Sequence, residues 1–99
     1  MLDKSKKYGI LGLARSGIAA AYKLKELGIT PFLSELRPAA EITEAEQLTK
    51  NFPCEFGGHT DNLLQCDCLI ISPGIPLNTP IIQKAKARNI DLISEIELG

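Results

Sequence analysis

Short apolar runs alternate along this chain with segments whose hydrophobic positions recur every three to four residues. That alternation is the pattern of strands and helices in a parallel α/β sheet. Tyr8–Leu11 reads as the first strand and runs into a turn at Gly12. Behind it Gly17, Ala20, Ala21, Leu24 and Leu27 share one stripe, which predicts a helix over residues 16–27. Gly28 ends that helix as a left-handed cap residue. Residues 30–34 form a second apolar run, and Pro38 then opens a polar segment with Ile42, Ala45 and Leu48 at helical spacing. In that segment Glu41, Glu44 and Glu46 come early and Lys50 late, which suits a helix dipole. A weak third strand over residues 53–56, a Gly57-Gly58 turn and a short helix over residues 61–65 follow.

Cys68–Ile71 is the best-marked strand, apolar on both faces as a central parallel strand should be. Thr79 then caps a helix with Pro80 at its first position and Ile81, Ile82 and Ala85 turned inward. Residues 90–93 make a fifth strand. The sum is an α/β, Rossmann-like three-layer domain with a five-stranded parallel sheet, a single unit over residues 1–99. At the end of the chain Ser94-Glu95-Ile96-Glu97 carries the spacing of a capping box, which announces another helix. Gly99 arrives before that helix completes two turns, so the expectation is a fragment of a longer protein.

Composition narrows the function classes. At 99 residues, 44% hydrophobic and 23% charged, the chain suits one globular domain. Its formal charge of -1 offers no basic field for nucleic acid or an anionic membrane, so neither partner is expected. No apolar stretch reaches the length of a membrane span, and the lysine-rich start makes a poor signal peptide. Cys54, Cys66 and Cys68 are odd in number, without C-x-x-C spacing. A disulfide framework and a metal site are not expected, and a reducing, cytoplasmic location is.

Three loops could carry chemistry. Gly12-Leu13-Ala14-Arg15-Ser16-Gly17 lies between a strand and a helix, where backbone amides make a phosphate site. Ala14 stands where the dinucleotide fingerprint G-x-G-x-x-G wants its second glycine, and Ser16 adds a hydroxyl donor or serves as a plain helix cap. Glu35-Leu36-Arg37 ends the second strand. Glu35 there could hold ribose hydroxyls as in a dehydrogenase, Arg37 could meet a phosphate, or the two could be a solvated charge pair. Ser72-Pro73-Gly74 ends the central strand, either as part of a ligand crevice or as a turn alone. His59, the only histidine, reads as a surface or packing residue. No nucleophile-base set, carboxylate pair or glycine-lysine-threonine P-loop is present.

At these residues the chain resembles a family. Gly12-Leu-Ala-Arg-Ser-Gly17 with its alanine-rich helix is similar to the amino-terminal domain of the UDP-N-acetylmuramoylalanine–D-glutamate ligases. So are Ile71-Ser-Pro-Gly-Ile-Pro76 with Thr79-Pro80 after it, and Ile93-Ser-Glu-Ile-Glu-Leu98. The related muramate–alanine ligases usually show a glycine-richer first loop ending in Met-Ser, which is absent. The resemblance implies a three-domain, ATP- and magnesium-dependent ligase of peptidoglycan biosynthesis, hence of cell shape and division. In such ligases ATP phosphorylates the alanyl carboxylate of the UDP-sugar, and the amine of D-glutamate attacks the acyl phosphate.

It further implies that this domain binds the UDP of UDP-N-acetylmuramoyl-L-alanine and is inactive alone. No cofactor of its own is implied, and its partners are the remaining ligase domains. Leu13, Ala14, Arg15, Ser16 and Gly17 would hold the pyrophosphate. Glu35, Leu36 and Arg37 would face the uracil and phosphates, and Ser72, Pro73 and Gly74 would close the other side. Leu36 departs from relatives with a hydroxyl residue there, which leaves only backbone for a uracil contact. The alternatives from other classes are an NAD(P)-binding domain of an oxidoreductase, favoured by Glu35 alone, and a non-catalytic nucleotide sensor.

Overall fold

A computed structural model of the chain describes residues 3–94, so the capping-box pattern beyond Ser94 lies outside the described residues. Five strands, β1 (Tyr8–Leu11), β2 (Phe32–Glu35), β3 (Cys54–Phe56), β4 (Cys68–Ile71) and β5 (Asp91–Ser94), form one sheet. Their order is β3-β2-β1-β4-β5, every neighbouring pair parallel. β1 takes the centre because all four of its residues are buried, as are those of β4 beside it. Ile10 sits level with Leu33 on one side and Ile70 on the other.

Side chains alternate between two cores. On one face Tyr8, Ile10, Leu33, Cys68 and Ile70 meet Ala20, Ala21 and Leu24 of α1 (Arg15–Glu26) and Leu48 of α2 (Ala45–Asn51). Tyr22 of α1 and Phe52 just past α2 meet edge to face, 5.2 Å between ring centres, which fastens the two helices to each other. On the other face Leu11, Leu69 and Ile71 meet Ile81, Ile82 and Ala85 of α3 (Pro80–Ala87) and Leu63 of the 3-10 helix Asp61–Gln65. Helices therefore cover both faces, and the three-layer expectation holds.

Several local expectations are corrected. β2 starts at Phe32, not Thr30, next to Pro31, which has no N–H for the ladder. Leu27 belongs to no buried stripe: it is the C-cap of α1 and 44% exposed, because Gly28 at φ +87° turns the chain there. The segment after Pro38 is not one helix. A 3-10 turn at Ala39–Glu41 comes first, and Ile42 is extended yet buried before α2 begins. Thr79 stands at the N-cap of α3, but its hydroxyl donates to the Pro76 carbonyl at 2.6 Å and caps nothing.

Gly9 sets how closely Leu63 and the chain before β4 approach β1. A Cβ there would lie 2.9 Å from Leu69 Cδ2, 3.0 Å from Cys66 Sγ and 3.1 Å from Leu63 Cδ2. Gly9→Val should therefore overpack this face and destabilise the chain by about 1–3 kcal/mol, and Gly9→Ala by less. Urea unfolding of the three proteins measures it; equal midpoints would show that the face yields freely.

Candidate functional site

Parallel strands bring all their carboxyl ends to one edge of the sheet, and ligands gather there where the strand order reverses. Here the reversal falls between β1, whose chain leaves to α1 on one face, and β4, whose chain leaves to α3 on the other. A cleft of about 470 Å³ opens at that point. Gly12, Leu13, Ala14 and Ser16, then Glu35, Leu36 and Arg37, and then Ser72, Pro73 and Gly74 line it. So do His59, Ile75, Pro76 and Thr79. The three predicted loops thus converge. Arg15 instead lines a smaller neighbouring hollow with Arg37, Glu41 and Glu44, and Gly17 is buried in the first turn of α1. A second large hollow, about 530 Å³, lies at the opposite edge around Lys4, Lys7, Thr30 and Pro53.

The turn after β1 is shaped by a glycine and by contacts to the ends of β2 and β4. Gly12 has φ +93°, and a Cβ on it would lie 2.8 Å from Ser72 Oγ. Its amide donates to the Ser34 carbonyl at 2.9 Å, and the Ser72 hydroxyl donates to the Gly12 carbonyl at 3.3 Å. The next amide, of Leu13, donates to Glu35 Oε1 at 2.7 Å. Glu35 Oε2 also accepts from the Arg37 amide at 2.9 Å and from Arg37 Nε at 3.2 Å.

Glu35 is therefore neither a solvated rim charge nor an open ribose acceptor. Its side chain is 6% exposed against 49% for Arg37, and it accepts from the loop itself. Burial works to raise its pKa. Hydrogen bonds from the Arg37 side chain, the Arg37 amide and the Leu13 amide outweigh burial and hold the carboxyl below the ordinary range.

Beyond Leu13 the amides lose their partners. Ala14 is the N-cap of α1 with an extended backbone and no side-chain cap, and Ser16 lies inside the helix, so the reading of Ser16 as the cap is corrected. Among the described residues the amides of Ala14, Arg15, Ser16 and Gly17 have no protein acceptor, and the first helical bond runs from Ile18 to the Ala14 carbonyl. No acidic residue sits in that first turn; the nearest carboxylate is Glu35, held at the Leu13 amide just before the helix.

Sequence reasoning missed His59. The ring is half-buried, its Nδ1 lies 2.7 Å from Ser34 Oγ, and it lines the cleft. Burial lowers its pKa against the opposing charges of Glu55 and Glu35. The signal was there: Gly57-Gly58 follows a strand, and the carboxyl end of any parallel strand faces the same edge. Both glycines have positive φ, and their amides donate to the carbonyls of Arg37 and Glu35, which folds the loop under the end of β2. Among the described residues no three His, Cys, Asp or Glu side chains come together for a metal ion. Cys66 and Cys68 point into opposite cores, and burial, with Asp91 beside it, pushes the Cys68 thiol up to about 11.

The family model of the Mur ligase MurD-like N-terminal domain matches residues 6–94. The chain is 38% identical over 96 residues to UDP-N-acetylmuramoylalanine–D-glutamate ligase of Chlorobaculum tepidum, covering 97% of this chain and 21% of that protein. With the ligase of the same name from Chlorobium phaeobacteroides it shares 41% over 94 residues, 95% of this chain and 20% of that one. The chain thus spans about a fifth of the length of these curated relatives. Two solved structures share its fold at lower identity. UDP-N-acetylmuramate-alanine ligase of Thermotoga maritima matches with TM-score 0.73 and 20% identity, over 94% of this chain and 21% of that one. A pseudomurein peptide ligase type C of Methanothermus fervidus matches with TM-score 0.77 and 22% identity, over 94% and 20%.

Glu35→Ala should destabilise the chain by about 1–3 kcal/mol, because it leaves the buried Leu13 amide without an acceptor. The sign of the pH effect follows from the lowered pKa. The carboxylate's contribution is present above the unfolded value of about 4.3 and is lost as pH falls through the lower folded value. The stability gap between wild type and Glu35→Gln should therefore shrink between pH 7 and pH 3 in urea titrations. A constant gap would contradict this account of Glu35.

Proposed function

The chain belongs to the Mur ligase MurD-like N-terminal domain family, and on that premise we propose that its cleft holds the UDP moiety of UDP-N-acetylmuramoyl-L-alanine. The observation that carries the reading is the open amino end of α1. Four consecutive unpartnered amides, at the positive end of a helix dipole and beside the cleft, make a receptor for a diphosphate. The Ser16 hydroxyl adds a donor at the same turn. Arg37, half exposed, brings a guanidinium whose remaining N–H groups are positioned by the bond to Glu35. Ser72, Pro73 and Gly74 close the opposite wall, with Ser72 fixed against Gly12. Leu36 offers a uracil no side-chain hydrogen bond, only backbone and apolar surface.

In this reading Glu35 works through others: it sets Leu13, and so the first turn, and it aims Arg37. The oxidoreductase alternative rested on Glu35 holding a ribose, and that carboxylate is already occupied. The parent protein would be the ATP- and magnesium-dependent ligase that adds D-glutamate in peptidoglycan precursor synthesis, working in the cytoplasm where ATP and nucleotide-sugars are found. The residues for ATP, magnesium and amide formation would come from other domains, because this sequence has no glycine-lysine-threonine loop. This domain would bind and orient the UDP-sugar and take no part in the bond-making step.

Two measurements test the proposal. UDP titrated into the labelled chain should shift the amide signals of residues 14–17, while NAD leaves them unmoved; Ala14 crowds the approach a dinucleotide pyrophosphate needs. Saturable NAD binding at those amides with UDP silent would reverse the assignment. Arg37→Ala should weaken UDP binding by about 1.5–3 kcal/mol, with Arg37→Lys recovering only part because a point charge lacks the guanidinium fork. Unchanged affinity in calorimetry would remove Arg37 from the site.

A further inference from the structure

The reading of the cleft as a uridine nucleotide site leaves His59, a polar side chain of its lining, without a role. His59 stands at the end of a relay. Ser34 and Glu55 are register partners on β2 and β3, and the Ser34 hydroxyl donates to Glu55 Oε2 at 2.5 Å. Glu55 also accepts from the Thr60 amide at 2.8 Å and from Thr60 Oγ1 at 2.5 Å. A carboxylate in that setting has only acceptors to offer, and a serine has one proton. With that proton on the Glu55 side, the 2.7 Å contact between Ser34 Oγ and His59 Nδ1 must draw its proton from the ring. A neutral imidazole carries one N–H, so its tautomer is fixed with Nδ1 protonated and Nε2 a bare acceptor. Burial favours the neutral ring, with Glu55 and Glu35 pulling the other way.

Two backbone bonds place this ring beside the end of β2. Gly58 donates to the Glu35 carbonyl at 3.2 Å and Gly57 to the Arg37 carbonyl at 2.9 Å. Of the other side chains at that end of the cleft, Arg37 only donates, Leu36 is apolar, and Glu35 already accepts from Leu13 and Arg37. No described residue donates to His59 Nε2.

We propose that His59 is a specificity-determining residue of the cleft, its Nε2 accepting the N3–H of a uracil ring and disfavouring cytosine. Uracil carries a hydrogen at N3, whereas cytosine has a lone pair there and would set two acceptors against each other. An unmet acceptor pair of this kind is worth about tenfold in affinity.

The nitrogen-15 shifts of the His59 ring should first show Nδ1 protonated and Nε2 bare in the free chain at pH 7.5; the opposite tautomer overturns the proposal without any ligand. The unaltered chain should then bind UDP about tenfold more tightly than CDP in calorimetry. His59→Phe keeps ring bulk and should bring the two affinities within about threefold of each other. His59→Gln, with an amide oxygen near the place of Nε2, should restore much of the preference. A merely structural role for His59 would weaken UDP and CDP together and leave their ratio standing, which overturns the proposal; circular dichroism of each variant identifies loss of fold. UDP and CDP bound equally by the unaltered chain overturns this inference and leaves the UDP reading intact, whereas no UDP binding at all overturns both.

Discussion

A single buried carboxylate organises the upper edge of this sheet. Glu35 accepts the Leu13 amide and three N–H groups of Arg37, so one side chain joins the turn after β1 to the end of β2. Burying a charge is unfavourable by several kcal/mol unless donors replace its water, and here the loops that surround it supply them. The consequence is directional. With its amide held by Glu35 and its side chain in the core, Leu13 has no freedom left, and α1 must begin immediately beyond it. The four amides after Leu13 are then left without an acceptor among the described residues and with no side-chain cap, where most helices of a stable domain would supply one. An open helix end is a local loss that the fold sustains because Glu35 fixes everything just before it.

How much of this was legible beforehand depended on where each residue's partner lies. β1 and β4 could be read residue for residue, because a strand buried on both faces is an unbroken apolar run closed by turn formers, Gly12 and Ser72-Pro73. The stripes of α1 and α3 were equally plain, since their partners are the sheet itself. Leu27, Ile42 and Thr79 misled because periodicity describes an ideal helix and says nothing of where a glycine or a preceding turn breaks it. At the site, the gathering of three loops was legible, because parallel strands leave no other arrangement. The use of Glu35 was not: a carboxylate at the end of β2 looks the same in sequence whether it faces a ribose or bends back to an amide twenty-two residues earlier. His59 was hidden for a similar reason, its partner Ser34 lying on another strand.

The two sides of the sheet are unequal around β2 and β3. On the α1–α2 side Leu33, Cys54 and Phe56 join the core. On the opposite side Ser34 and Glu55 take the corresponding places, beyond the reach of α3, and they bond to each other, to His59 and to Thr60. Ser34 is fully buried there, and its hydroxyl is accommodated because it is hydrogen-bonded on both sides. Through His59 that polar group reaches the cleft, whose lining also includes the apolar Ile75 and Pro76.

The strand order also has a consequence for the chain as it is made. β1 is synthesised first and occupies the middle, yet its partner β4 lies some sixty residues downstream. At roughly 5–20 residues per second, several seconds separate the two. In that interval β1, β2 and β3 with α1 and α2 can gather most of one core, still lacking Cys68 and Ile70 of β4, while Leu11 and Phe32 on the reverse side await elements not yet translated. A half-sheet of β1, β2 and β3 would have one face partly covered by α1 and α2, one face bare, and an unpaired edge along β1. Pairing of β1 with β4 is thus a non-local, late event in the making of this sheet, and the edge of β1 stays open until residues 68–71 are available.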